Sequence, residues 1–138
     1  METHQSLVVC KPDCLERGLV DEVRRVILEM ELAIIKSVQL RLSRNEVLLI
    51  GPNPNRAPEG VYERFLAYMT RGDCVVFLVE GNDVHQQTHA VRTHIRVSNG
   101  LPARWSGGSV ENLIHVPDAD DVARAFLAMS PYLSEEPP

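Results

Sequence analysis

The sequence predicts an α+β fold, an antiparallel sheet with flanking helices. Segments of helical period alternate along the chain with short β-branched runs. The links between those runs are too irregular for a doubly wound parallel sheet. The length of 138 residues, with 44% hydrophobic and 24% charged content, suits one core-bearing domain. We expect that domain to span residues 1–133, with 134–138 a flexible tail.

Ser6–Cys10 is apolar and stops before Pro12, which cannot donate to a ladder; it reads as a buried strand. Asp13 is placed to cap a short turn through Glu16. Val20, Val23, Val26, Ile27 and Met30 recur at helical spacing. Alternation from Ile34 to Leu42 reads as a half-buried strand. Ser43 and Glu46 have capping-box spacing and open a short helix. The run from Gly51 to Gly60 holds three prolines and two glycines and is a loop. Helical spacing resumes over Val61–Tyr68, and Cys74–Val79 is the strongest strand candidate. Val84–Val97 reads as a polar helix, Ser98–Ser109 as a long loop, Val110–Val116 as containing a short strand, and Asp120–Met129 as a last helix. A ferredoxin-like α+β sandwich fits this order best.

The formal net charge is −5 and the pI about 5.5, so wrapping of nucleic acid is not expected. No apolar run reaches the roughly 20 residues of a membrane span, and the first residues lack signal-peptide features. Cys10, Cys14 and Cys74 have no metal-type spacing and read as reduced thiols, in keeping with a cytoplasmic protein.

The chemistry-bearing candidates each admit two readings. Lys11, ending a buried strand, is either a snorkelling surface lysine or a point charge offered to phosphate. His115, ending an apolar run, is either a hydrogen-bonded core histidine or a nucleophile for a phosphoryl group. The second role needs nearby cations and a partner on the other ring nitrogen. His85, His89, Arg92 and Arg96 fall on one helical stripe, which is either a solvated face or the lining of an anion site. His85 and His89 have the spacing of zinc ligands, but Gln86 stands where a metalloprotease needs glutamate, so no metal site is assigned.

Several ordered segments resemble the nucleoside diphosphate kinases. They are Lys11-Pro12-Asp13, Arg17-Gly18-Leu19, Tyr68-Met69-Thr70-Arg71-Gly72 leading to Val75-Val76 and Glu80-Gly81, and Asn112-Leu113-Ile114-His115. The resemblance covers about Ser6 to Met129. It implies a ferredoxin-like homo-oligomer and a nucleoside triphosphate substrate carried with Mg2+. It also implies transfer of the γ-phosphate to an acceptor through a phosphohistidine at His115. By the same resemblance Lys11 contacts ribose and phosphates, Asn112 the sugar, and Tyr62 with Leu66 the base. Arg104 reaches the phosphates. Apart from the resemblance, Arg92, on the basic stripe one turn from His89, is a candidate to compensate for a missing cation.

The chain departs from the family pattern at several places. Gly51 aligns with an active-site tyrosine, His89 with an arginine, Ile95 with a threonine, and Phe126 with the glutamate that orients the histidine. Arg104-Trp105-Ser106-Gly107 replaces Arg-Gly-Asp-Phe, and Val116-Pro117 replaces Gly-Ser. Asp118 is retained after them, and Asp120 or Asp121 is a candidate substitute for the glutamate. Two functions follow: a divergent histidine phosphotransferase, or a catalytically impaired member that binds a nucleotide or a protein.

Overall fold

The structure is a computed structural model and describes residues 4–51, 60–102 and 112–133, with only the main chain at Val61. Its elements run β1 (His4–Cys10), α1 (Pro12–Glu16), α2 (Val20–Glu29), β2 (Ala33–Leu40), α3 (Arg44–Ile50) and α4 (Val61–Met69). They continue with β3 (Cys74–Gly81), α5 (Val84–Ser98), β4 (Ile114–His115), a 3-10 turn at Ala119–Asp121, and α6 (Val122–Leu133). The four strands form one antiparallel sheet in the order β2-β3-β1-β4. This is the ferredoxin-like α+β arrangement that the element order predicts.

Position in the sheet explains each strand's pattern. β1 and β3 are central and carry near-continuous apolar runs. β2 lies at the edge and alternates exposed with half-buried residues. On one face Val8, Cys10, Val75, Phe77 and Val79 pack with Val23, Val26 and Ile27 of α2 and Val84, Val91 and Ile95 of α5. On the other, Leu7, Val9, Cys74 and Val76 meet Val47 and Ile50 of α3, Phe65, Leu66, Tyr68 and Met69 of α4, and Ala125 and Met129 of α6.

Two local expectations change. Asp13 does not cap α1. Lys11 takes that place with Pro12 first in the helix, and the Asp13 carboxylate turns inward instead. The short strand expected within 110–116 is β4, which pairs with Val9 and Cys10. The last helix runs on to Leu133 through Pro131. A proline there leaves the Leu127 carbonyl without its helical donor, and the Ser130 hydroxyl donates to it at 3.3 Å. The capping box at Ser43 and Glu46 forms as expected, with both reciprocal bonds.

Candidate active site

The ladder between β1 and β4 brings Lys11 and His115 to one end of the sheet. The approach to His115 is a tight turn at Leu113, whose φ is 73°. The Ile114 amide closes the turn on the Asn112 carbonyl at 2.8 Å. A γ-turn of this hand is rare and strained. Long-range bonds hold it in place. The Leu113 amide donates to Asp13 Oδ2 at 3.1 Å, and the Leu113 carbonyl accepts from the Lys11 amide at 2.8 Å. Arg96 of α5 donates to the Asn112 carbonyl at 3.0 Å and to the Ile114 carbonyl at 2.8 Å. The Tyr68 hydroxyl donates to Asp13 Oδ1 and accepts from the Asp13 amide at 2.9 Å.

Lys11 is 3% exposed. Its ammonium donates to Asn112 Oδ1 at 2.5 Å and lies 5.2 Å from the Phe65 ring centre. Burial, reinforced by the Arg96 charge, lowers its pKa to about 7, against the opposing pull of Asp13. Burial also lowers the pKa of His115, to about 3; the charges of Lys11, Arg92 and Arg96 add to this and a bond to Ile50 opposes it. The imidazole is therefore neutral near pH 7 and faces a field that attracts anions.

The ring of His115 has a defined tautomer. Nε2 lies 2.9 Å from the Ile50 carbonyl oxygen, which only accepts, so Nε2 carries the proton. Nδ1 keeps its lone pair. A main-chain carbonyl at the C-terminus of α3 thus occupies the orienting place that the family resemblance gives to a glutamate. Asp118 lies 3.6 Å from His89 Nε2, and Asp121 lies 3.5 Å from Arg124. Among the described residues no carboxylate hydrogen-bonds His115.

The α5 stripe divides along its length. Arg96 is buried beneath the His115 strand. Arg92 donates to His89 Nδ1 at 2.8 Å, and its charge reaches both Lys11 and His115. Burial, with the Arg92 charge, lowers the pKa of His89. His85, at the other end, borders a groove with His4, Glu80, Val122 and Phe126.

The remaining site candidates separate. Tyr62 is half-buried, with its ring centre 6.0 Å from that of Phe65. Leu66 is fully inside the core. Arg104 lies outside the described residues. Phe65, which no motif marks, stands between Tyr62 and His115, 6.0 Å from the imidazole centre.

Phe65 also explains Gly51. A Cβ at Gly51 would lie 2.6 Å from Phe65 Cε1 and 3.0 Å from the Val47 carbonyl. The space for a side chain at 51 is already filled. Gly51→Tyr, which reinstates the family residue, is therefore expected to lower stability by about 1–3 kcal/mol through overpacking. A denaturant midpoint equal to that of the parent would contradict this.

Fold and site together define a ferredoxin-like sandwich with a neutral histidine in the field of Lys11, Arg92 and Arg96 at one end of its sheet. The family model "Nucleoside diphosphate kinase" matches residues 4–130. The chain belongs to the nucleoside diphosphate kinase family and is a phosphotransferase of that type. It is 23% identical over 133 residues to the nucleoside diphosphate kinase of Saccharolobus solfataricus, covering 94% of this chain and 95% of the relative. It is 25% identical over 134 residues to that of Streptococcus pneumoniae, covering 91% and 97%. Among solved structures, the Borrelia burgdorferi nucleoside diphosphate kinase with bound vanadate and ADP is similar at TM-score 0.75 and 17% identity, covering 91% of this chain and 86% of that one. The Halobacterium salinarum enzyme in complex with CDP is similar at TM-score 0.73 and 16% identity, covering 97% and 100%. At these identities the structural likenesses establish the fold alone.

Proposed function

We propose that the protein moves the γ-phosphate of a nucleoside triphosphate to an acceptor through a phosphohistidine at His115. The observation that carries this reading is the Nε2–H···O bond to Ile50, which leaves Nδ1 as a neutral nucleophile in the field of Lys11, Arg92 and Arg96. In the first half-reaction the Nδ1 lone pair attacks the γ-phosphorus. The bond from that phosphorus to the bridging oxygen breaks, and the diphosphate leaves with the electron pair. The Nε2 proton stays, and the positive charge on the phosphorylated ring is shared with the Ile50 carbonyl. In the second half, an acceptor oxygen attacks phosphorus and the N–P bond breaks. Lys11 and Arg92 stabilise the equatorial phosphoryl oxygens. Lys11 and Asn112 hold the sugar and phosphates, Tyr62 stands on the base side, and Arg104 completes the phosphate contacts.

Magnesium enters with the nucleotide as part of the substrate. The described residues hold no group of three or more acidic, histidine or cysteine side chains that could take the ion directly. Mg2+ commonly keeps several waters and is held largely by substrate phosphates. A cytoplasmic homo-oligomer belongs to the same proposal. The position of β2 at the edge of the described sheet and its exposed Ile35 support assembly, and no helix among the described residues is long and apolar enough to cross a membrane.

The test is incubation with γ-labelled ATP and magnesium. We expect acid-labile, base-stable label on the wild type and none on His115→Ala. Nucleotide binding without label would overturn the transfer reading and leave a binding protein.

The lowered pKa of Lys11 gives a pH prediction. Between about 7 and its ordinary 10.5 the unfolded chain binds more protons at this residue than the folded one. Its contribution to stability therefore rises with pH across that window. Anion binding runs the opposite way, because phosphate needs the protonated amine. Affinity for ATP should fall as pH rises above 7, by up to about tenfold per unit. Calorimetric titration from pH 7 to 9 checks this; Lys11→Met should bind weakly and without that slope.

A further inference from the structure

The bond that orients His115 comes from the main chain, and the main chain there needs something to hold it. Ile50 ends α3, and Gly51 follows with no side chain to restrict its rotation. The Gly51 amide returns to the Val47 carbonyl at 2.8 Å, which aims the Ile50 carbonyl of the same peptide group outward. On the other side of Gly51, its carbonyl accepts from Arg124 Nη2 at 2.9 Å. Arg124 reaches across from α6 and is steadied by Asp121, 3.5 Å away in the preceding turn. Two successive carbonyls are thus fixed by two side chains: Ile50 by His115, and Gly51 by Arg124. The C-terminal end of α3 also carries partial negative charge, which suits an N–H donor that becomes cationic on phosphorylation.

We propose that Arg124 is a positioning residue. By gripping the Gly51 carbonyl it fixes the end of α3, so that the Ile50 carbonyl holds His115 with its proton on Nε2 and its lone pair on Nδ1. The catalytic part of this inference rests on His115 being the phosphoacceptor; the tautomer part does not. Arg124 touches neither the imidazole nor, in this reading, the substrate. Which ring nitrogen carries the proton is set by the partner of the other one. Loosening Gly51 should let the ring exchange tautomers and lower the fraction poised for attack.

The experiment is long-range proton–nitrogen NMR on full-length, nitrogen-15 histidine-labelled protein at pH 7, with His115 assigned through His115→Gln. In the wild type we expect Nε2 protonated and Nδ1 bare. In Arg124→Met the Nδ1–H form should appear, while Arg124→Lys, which keeps a cationic donor, should retain the wild-type pattern. The initial rate of labelling from ATP should fall about tenfold or more in Arg124→Met, as expected for a misoriented group, with ATP affinity unchanged. A wild-type tautomer pattern in Arg124→Met would overturn the inference. If that variant does not fold, Arg124→Gln, shorter and neutral, decides by the same spectrum. If the wild type takes no label, the phosphotransfer reading fails on its own, and the tautomer comparison still decides the role of Arg124.

Discussion

Arg96→Met is expected to cut phosphorylation of His115 by about a hundredfold and to destabilise the fold by about 2–4 kcal/mol. Arg96 is 6% exposed and donates to both the Asn112 and Ile114 carbonyls. Those carbonyls flank the γ-turn at Leu113. Removing the guanidinium leaves two inward-facing acceptors without their charged donor. Each such bond contributes roughly 1.5–3 kcal/mol. The kinetic loss has a separate origin. Relaxation of the strained turn moves His115 relative to Lys11, and a displacement of about 1 Å costs on the order of a hundredfold. Arg96→Lys should recover little, because an ammonium lacks the fork that spans both carbonyls. Labelling rates and a denaturant titration check the two effects independently. Unchanged labelling in a folded Arg96→Met protein would remove Arg96 from the site.

Asp13→Ala is expected to lower stability by about 3–5 kcal/mol, a large share of the roughly 5–15 kcal/mol available to a domain. The carboxylate is 5% exposed and accepts from the Tyr68 hydroxyl and the Leu113 amide. It also opposes the burial of the Lys11 charge. Truncation leaves a phenol and an amide in the interior without that acceptor, and the Lys11 ammonium without its opposing charge. The pKa of Lys11 should fall further below 7, because the one nearby charge that raises it most is gone. Midpoints in urea at pH 7 and pH 9 separate the effects. The deficit relative to wild type should shrink at pH 9, where Lys11 is neutral in both folded proteins. A deficit under 1 kcal/mol would contradict the account.

The fold was largely legible because its signals are local and periodic. The unbroken apolar runs of β1 and β3 mark central strands, the alternation in β2 marks an edge, and Ser43 with Glu46 marks a helix start. The helical stripe from His85 to Arg96 was legible as well. What spacing cannot give is depth. His85 lines a distant groove, whereas Arg96 lies under the His115 strand. Asp13 has the composition of a cap, and only the fold shows its carboxylate serving Leu113, a hundred residues away.

The centre of the site was half legible. Lys11, Asn112 and His115 stand out because their side chains are chemically distinctive; the fold bonds Lys11 to Asn112 and pairs the strand of His115 with β1. The partner of His115 could not be read, because a main-chain carbonyl has no letter in the sequence. The same holds for Phe65, whose ring fills the space beside Gly51 through tertiary packing alone. The absent glutamate reads as a loss in the sequence. In the structure, its orienting position is occupied by Ile50.

The most direct measurement of the central claim is the site of phosphorylation on the His115 ring. Phosphorus NMR of the freshly phosphorylated, denatured protein distinguishes attachment at Nδ1 from attachment at Nε2. With Nε2 committed to the Ile50 carbonyl, the account predicts phosphate on Nδ1. Phosphate on Nε2 would contradict it.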